Sequence, residues 1–370
     1  MDKLRKKCED ILGLADISLS GVRPWDLKIH NNSFFDRIFS EGSLALGEGY
    51  MDGWWDAQSV DQFICKLLSS DVSDKINPYK VLVLSLQAKL TNLQNLKRAI
   101  QVADNHYNLG NRLFEIMLDS RMTYTCGYWK HAEDLETSQE HKLDLVCKKL
   151  HLQEGQHVLD IGCGWGSFAK FAAENYGARV TGITISTEQV DYARENCKNL
   201  PIEIIVKDYR LMEGKFDHIV SLGMFEHVGN KNFRTFFQHA SRCLNDDGLF
   251  LLHTIGGLES NVTPDPWIHR YIFPNGQIPS LAEISAAAEK LFLVEDVHNF
   301  GAYYDKTLMA WFDNFHAGWD EIKVDFDERF YRMWKFYLQA CAGAFRARDL
   351  QLWQFVLSKN GVPGVYDRIS

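Results

Sequence analysis

The stretch Val158-Leu-Asp-Ile-Gly-Cys-Gly-Trp-Gly166 constrains this chain more than any other. Val158, Leu159 and Ile161 form a short apolar run broken by a single acid, Asp160, as suits a strand buried in a parallel sheet. Gly162, Gly164 and Gly166 then remove three Cβ atoms where the chain must turn sharply. Ser167 to Glu174 continues as a helix, and a second apolar run, Arg179-Val-Thr-Gly-Ile-Thr-Ile-Ser186, returns after it, as a βαβ unit requires. A Gly-rich turn of this kind lets backbone approach a ligand closely. The plain alternative is a tight turn with no ligand.

The spacing is G-x-G-x-G rather than the G-x-G-x-x-G of dinucleotide folds. D-x-G-x-G-x-G between strand and helix reads as a loop that holds S-adenosylmethionine, and a branched side chain at Gly162 is expected to meet that ligand. Further strands are expected at 202–206, ending in Asp208-Tyr209-Arg210, at 216–222, ending in Gly223-Met-Phe-Glu-His-Val228, and at 248–254. Helices are expected near 136–150 and 188–198. The alternation predicts an α/β fold, a doubly wound Rossmann-like methyltransferase domain over 101–370. Ligands in such sheets bind beyond the carboxyl ends of the strands, where the Gly-rich loop, Asp208, Glu226 and His253 all fall. For Glu226-His227 alone, a surface helix start is the plain reading.

Residues 1–100 read as a smaller, mainly helical N-terminal domain. Phe34 to Phe39 places aromatics at helical spacing, whereas Ser43 to Trp55, rich in glycine, reads as a turn-rich junction with its Trp pair in the core. From Lys75 to Ala103 there is no acid, and Tyr79, Leu82, Val83, Leu86, Leu90 and Leu93 make one apolar stripe accompanied by Lys75, Lys80, Lys89, Lys97 and Arg98. That segment either docks on anionic membrane or packs between domains. Residues 256–280 read as an insertion, and a helical tail is expected from Tyr303 to about Trp353.

Bulk properties narrow the function. A net charge of −9 argues against nucleic-acid binding, and 13% aromatic residues suit an apolar ligand cavity or a large core. Eight cysteines without a C-x-x-C pair point to reduced thiols in a cytoplasmic protein, and no metal site is expected. Neither a leader nor a run long enough to cross a membrane is expected, so a membrane substrate is reached from outside.

Several segments together resemble the cyclopropane-fatty-acyl-phospholipid synthases. They are Gly42 to Trp55, Tyr124-Thr-Cys-Gly-Tyr-Trp129, Val158 to Gly166, Gly223 to Gly229, Leu251-Leu-His-Thr-Ile-Gly256, Ile272-Phe-Pro-Asn-Gly276 and Thr307-Leu-Met-Ala-Trp311. The resemblance spans nearly the whole chain. It implies transfer of a methyl group from S-adenosylmethionine to a cis double bond of a phospholipid acyl chain at the inner membrane face, with ring closure. It implies bound bicarbonate as the base, held by Cys126, Glu226, His253, the backbone at Ile255, and Tyr304. For the donor it implies Tyr124, Thr125, Val158, Leu159, Asp160, Ile161, Gly162, Cys163, Gly164, Trp165, Gly166, Thr184, Ile185, Ser186, Gln189, Tyr209 and Arg210. Asp160 orients either the loop or the methionine amino group. Cys341 is read as a structural thiol, with catalysis the lesser alternative. Family members are commonly dimers. Plain lipid C-methylation without ring closure is the nearest alternative, and a lipid-binding scaffold on a dead methyltransferase fold the more distant one.

Overall fold

A computed structural model describes residues 2–70, 110–260 and 263–370. The basic, acid-free stretch 75–98 lies outside the described residues. The described chain packs as two units. Sequence places a boundary near residue 100; by packing, 263–274 and 302–350 group with 2–70.

In the first unit the strands β1 (Lys28–Ile29) and β2 (Trp55–Asp56) pair antiparallel beside the helices Phe34–Glu41, Ser43–Met51 and Val60–Leu68. The long helix Glu328–Arg346 ties to them through Arg332 to Asp56 at 2.6 Å and Arg346 to Asp61 at 2.6 Å. The expected junction at 43–55 is therefore mostly helix. Its glycines are not breakers but points of close approach. A Cβ at Gly47 would strike the Trp267 indole, and one at Gly49 would crowd Trp55 and Phe34. Trp55 is fully buried among Tyr50, Phe63 and Phe336, as the core reading of that residue requires. Among the described residues no helix is long and apolar enough to cross a membrane.

The second unit is built on a sheet of seven strands among the described residues. They are β3 (His157–Ile161), β4 (Arg179–Thr184), β5 (Ile202–Val206), β6 (Phe216–Leu222), β7 (Leu244–Gly257), β8 (Leu293–Asn299) and β9 (Leu350–Ser358), in the order β5-β4-β3-β6-β7-β9-β8. β3 to β7 pair in parallel, and β8 pairs antiparallel with β9. The expected helical tail ends at Arg346; Arg348 takes φ +63° and the chain turns into β9. Leu350-Gln-Leu-Trp-Gln-Phe-Val-Leu357 is a run rich in β-formers, masked in the sequence by the long helix that precedes it.

Apolar residues cover both sheet faces. Helices Leu135–Lys149 and Ser167–Tyr176 bury Leu143, Val146, Phe168 and Ala172 with Val158 and Val180. Helix Phe233–Cys243 buries Phe236 and Phe237 with Phe225, Phe250 and Phe292. The strand order reverses between β3 and β6, which places the ligand-accepting crevice at the end of β3.

Candidate active site

The loop after β3 holds Gly162, Gly164 and Gly166 at φ +84°, +53° and +84°, conformations that a Cβ penalises. The N–H groups of Gly162 and Cys163 bond to Ile183 O at 2.8 and 3.0 Å, and Gly166 bonds to Cys163 O. Those amides are therefore engaged inside the protein. The three glycines have different jobs. A Cβ at Gly162 would lie 2.6 Å from Met224 Cβ, so this glycine lets the loop pack on the 223–228 segment rather than on a ligand. A Cβ at Gly166 would crowd Cys197 and Ala193, but one at Gly164 meets nothing within 4 Å. Gly164 is the open side of the cradle, whereas the space beside Gly162 is filled by Met224.

Other loop residues are anchors. Val158, Leu159 and Ile161 point into the cores. Trp165 donates to Asn111 Oδ1 at 2.9 Å and packs on Phe114. Cys163 fits against Gly182, and burial pushes its thiol well above the ordinary value. Asp160 is different. It is buried, its Oδ2 has no partner among the described residues, and desolvation raises it to about 7 despite the nearby charge of Lys142. A buried acid with an open oxygen at the mouth of a Gly-rich loop suits a ligand ammonium.

Beyond β4, Thr184 Oγ1 donates to Gln189 Oε1 at 2.9 Å, and both side chains are buried. Ser186 caps the helix Thr187–Asn196, and Ile185 is half-buried. Tyr209 buries a hydroxyl with no partner among the described residues. Arg210 is held by Asp208 through two contacts of 2.7 Å, so its charge is already paired.

The segment 123–126 is fixed from below by the helix Leu135–Lys149. Gln139 Nε2 and Lys142 Nζ donate to Thr125 O and Thr125 Oγ1, both at 2.7 Å. Thr123 bonds to Asp119 and to Ser167 at the next helix start, and the Phe114 ring packs 5.3 Å from Tyr124. Burying an ammonium costs several kcal/mol, more than the roughly 1.5–3 kcal/mol of one charged hydrogen bond. Lys142 is therefore not present for stability. No motif in the sequence singles it out, although Leu135, Ser138, Gln139, Lys142, Val146 and Lys149 share one buried helical face.

Across the crevice, Glu226 Oε1 accepts the Ile255 N–H at 2.6 Å, and its Oε2 has no partner among the described residues. Desolvation raises this carboxyl to about 7. His253 is buried and held well below its ordinary value by desolvation and by Lys142 and Lys149, so it is neutral. Gln354 Nε2 donates to His253 Nδ1 at 3.2 Å, which leaves the ring proton on Nε2, itself without a partner among the described residues. Cys126 is fully buried, with Sγ directed at Gly127 O. A Cβ at Gly223 would reach Thr125 Cγ2 at 2.7 Å, so 125, 162 and 223–224 interlock and set the two half-sites side by side.

Tyr304 and Cys341 belong to the other unit. Tyr304 packs on Phe345 with ring centroids 4.6 Å apart, and burial pushes the Cys341 thiol up to about 12, which favours packing over nucleophilic chemistry. Gln354 belongs to no motif, and it lies in β9, which the sequence pattern does not separate from the preceding helix. Gln354→Met is expected to lower turnover by on the order of tenfold, the scale of one buried hydrogen bond. Titration with S-adenosylhomocysteine should be unchanged.

A family model described as mycolic acid cyclopropane synthetase matches residues 94–355. The chain belongs to this family. It is 49% identical over 359 residues, 97% of its length and 94% of the relative's, to the cyclopropane-fatty-acyl-phospholipid synthase of Escherichia coli K12. It is 33% identical to the sphingolipid C9-methyltransferase of Komagataella phaffii, over 70% of this chain and 58% of that one. The solved mycolic acid cyclopropane synthase CmaA1, complexed with SAH and CTAB, matches with a TM-score of 0.67 and 32% identity, over 70% of this chain and 98% of that chain. As a member of the family the chain is an S-adenosylmethionine-dependent methyltransferase, and the open side at Gly164, the unpartnered Asp160 oxygen and the buried Tyr209 hydroxyl all suit that donor.

Proposed function

We propose that this enzyme converts the cis double bond of unsaturated acyl chains in membrane phospholipids into a cyclopropane ring. S-adenosylmethionine, when bound, supplies an electrophilic methyl group. An alkene needs no deprotonation before attack, so the chain's own task is to hold the reactants and to receive a proton from the added methyl group afterwards. The reading rests on one observation: a buried acid and a buried neutral imidazole, Glu226 and His253, each with an open polar atom, beside the donor cradle.

That pair suits a small oxyanion such as bicarbonate, which would supply the base there. His253 Nε2–H would donate to it. Glu226 is balanced between acid and carboxylate near pH 7, so it can give or accept the ion's O–H without a fixed like-charge repulsion. Cys126 is a candidate donor in the same unit; Tyr304 is assigned by family resemblance. Aromatic faces can stabilise transient positive charge on the acyl chain. The enzyme would work from the inner membrane surface, with the N-terminal residues engaging lipid.

The test is incubation with methyl-labelled S-adenosylmethionine and vesicles of unsaturated phospholipid, then mass analysis of the acyl chains. A gain of one CH₂ with loss of the olefin is expected. Similarity to a sphingolipid C9-methyltransferase supports a second reading, C-methylation without ring closure. A methyl-branched product that keeps its double bond would favour it.

A further inference from the structure

Against the helix Asp2–Gly13 the first unit holds a partly open cavity of about 60 Å³. Its wall is apolar throughout, with Cys8, Leu12, Phe34, Phe39, Phe63 and Leu67 among the residues that form it. Packed interiors carry few voids larger than a water molecule, and an apolar wall gives water nothing to bond to. At about 10–15 Å³ for each water-sized group, the space takes roughly four to six of them, which suits the end of an alkyl chain.

The same helix brings positive charge to the cavity. Lys3, Lys7 and Ile11 follow one another at intervals of four, so they share one helical face, and Ile11 belongs to the cavity wall. Lys7 Nζ lies 4.6 Å from the centre of the Phe39 ring, itself part of that wall. Residues 3–10 carry four basic side chains against the two acids Glu9 and Asp10. Glu9 is engaged by Arg5 at 3.1 Å, whereas Lys3, Lys6 and Lys7 stand exposed. An apolar hole with cations along the helix that borders it matches a molecule with an alkyl end and a negative head.

We propose that this cavity binds the terminal carbons of one acyl chain of an anionic membrane phospholipid, with Lys3 and Lys7 meeting the lipid's negative charge. The bound chain is held and not modified: the cavity and both lysines belong to the first unit, Glu226 and His253 to the second. The wall offers no polar group that could sense a double bond, so a saturated chain fits as well as an unsaturated one. The choice of a membrane lipid rests on the reading of this enzyme as one that works at the bilayer surface.

The test uses the full chain and vesicles of phosphatidylglycerol in which one saturated acyl chain ends in a photoreactive diazirine. Such a chain has no double bond to convert. After irradiation, mass analysis of peptides is expected to find label on segments 8–12, 34–39 and 63–67. Ile38→Trp fills the cavity from its own wall and should lower that label about fivefold or more. The pair Lys3→Glu and Lys7→Glu should lower it about tenfold at low salt, the scale of two basic residues near an anionic surface. Phosphatidylcholine carrying the same chain should label as weakly as that charge variant. Label confined to other segments, label undiminished in Ile38→Trp, or equal label from the two lipids would overturn the proposal. Should Ile38→Trp not fold, Leu67→Phe narrows the same cavity and gives the same readout. Cyclopropane formed on unsaturated vesicles without label in the cavity would sink this proposal alone. Label in the cavity from an enzyme that forms no cyclopropane would sink the catalytic reading alone.

Discussion

Glu226→Gln is expected to lower turnover by on the order of 10²-fold, the usual scale for losing acid–base function, while affinity for S-adenosylhomocysteine changes little. The amide keeps the shape and the acceptor for the Ile255 N–H but cannot exchange a proton with a bound oxyanion. The same variant should gain stability. Glu226 ionises near 4.5 when unfolded and near 7 when buried, so the folded state holds the extra proton between those values. Stability from this group is therefore greatest below pH 4.5 and declines as pH rises towards and past 7, by about 3 kcal/mol in all. Glutamine has no such decline. Denaturant unfolding of both proteins at pH 5 and pH 8 should show the advantage of the variant growing with pH. A variant that keeps its turnover and shows no pH-dependent gain would remove Glu226 from the site.

The second large effect concerns Gly164. Leucine there would fill the open side of the cradle, and S-adenosylhomocysteine affinity is expected to fall by 10²-fold or more, read by calorimetric titration. Backbone strain at φ +53° costs on the order of 1–2 kcal/mol and must be separated from blocking. Gly364→Leu is the control, since Gly364 also has positive φ and open space and lies in the exposed segment after β9. It should unfold somewhat more easily and bind the ligand normally. Gly162→Val should differ from both: its Cβ meets Met224, so thermal stability falls along with binding. Equal affinity in Gly164→Leu and the wild type would place the donor elsewhere.

How much was legible beforehand depended on how local the signal was. The parallel strands β3 to β6 and the helices between them follow from short apolar runs and glycine turns, and 202–206 and 216–222 coincide with observed strands. Strand order then carries Asp160, Glu226 and His253 to one edge, because residues at strand ends in a parallel sheet share a face. The sequence by itself thus determined the fold class, the family and the short set of polar residues that could do chemistry.

Tertiary structure decided what those residues can do. Gly47 and Gly49 resemble breakers until Trp267 and Trp55 are known to lie against them, and both partners come from other segments. β9 looked helical because its pairing with β8 is long-range. Whether Gly162 or Gly164 faces a ligand depends on Met224, sixty residues away along the chain. Lys142 and Gln354 escaped for the same reason: an isolated lysine or glutamine carries no motif, and only the folded chain sets them against Thr125 and His253. Charge states were equally hidden. Glu226, Asp160 and His253 have ordinary ionisation as sequence letters, and it is exclusion of water by the folded chain that makes the acids reluctant to ionise and the imidazole reluctant to accept a proton.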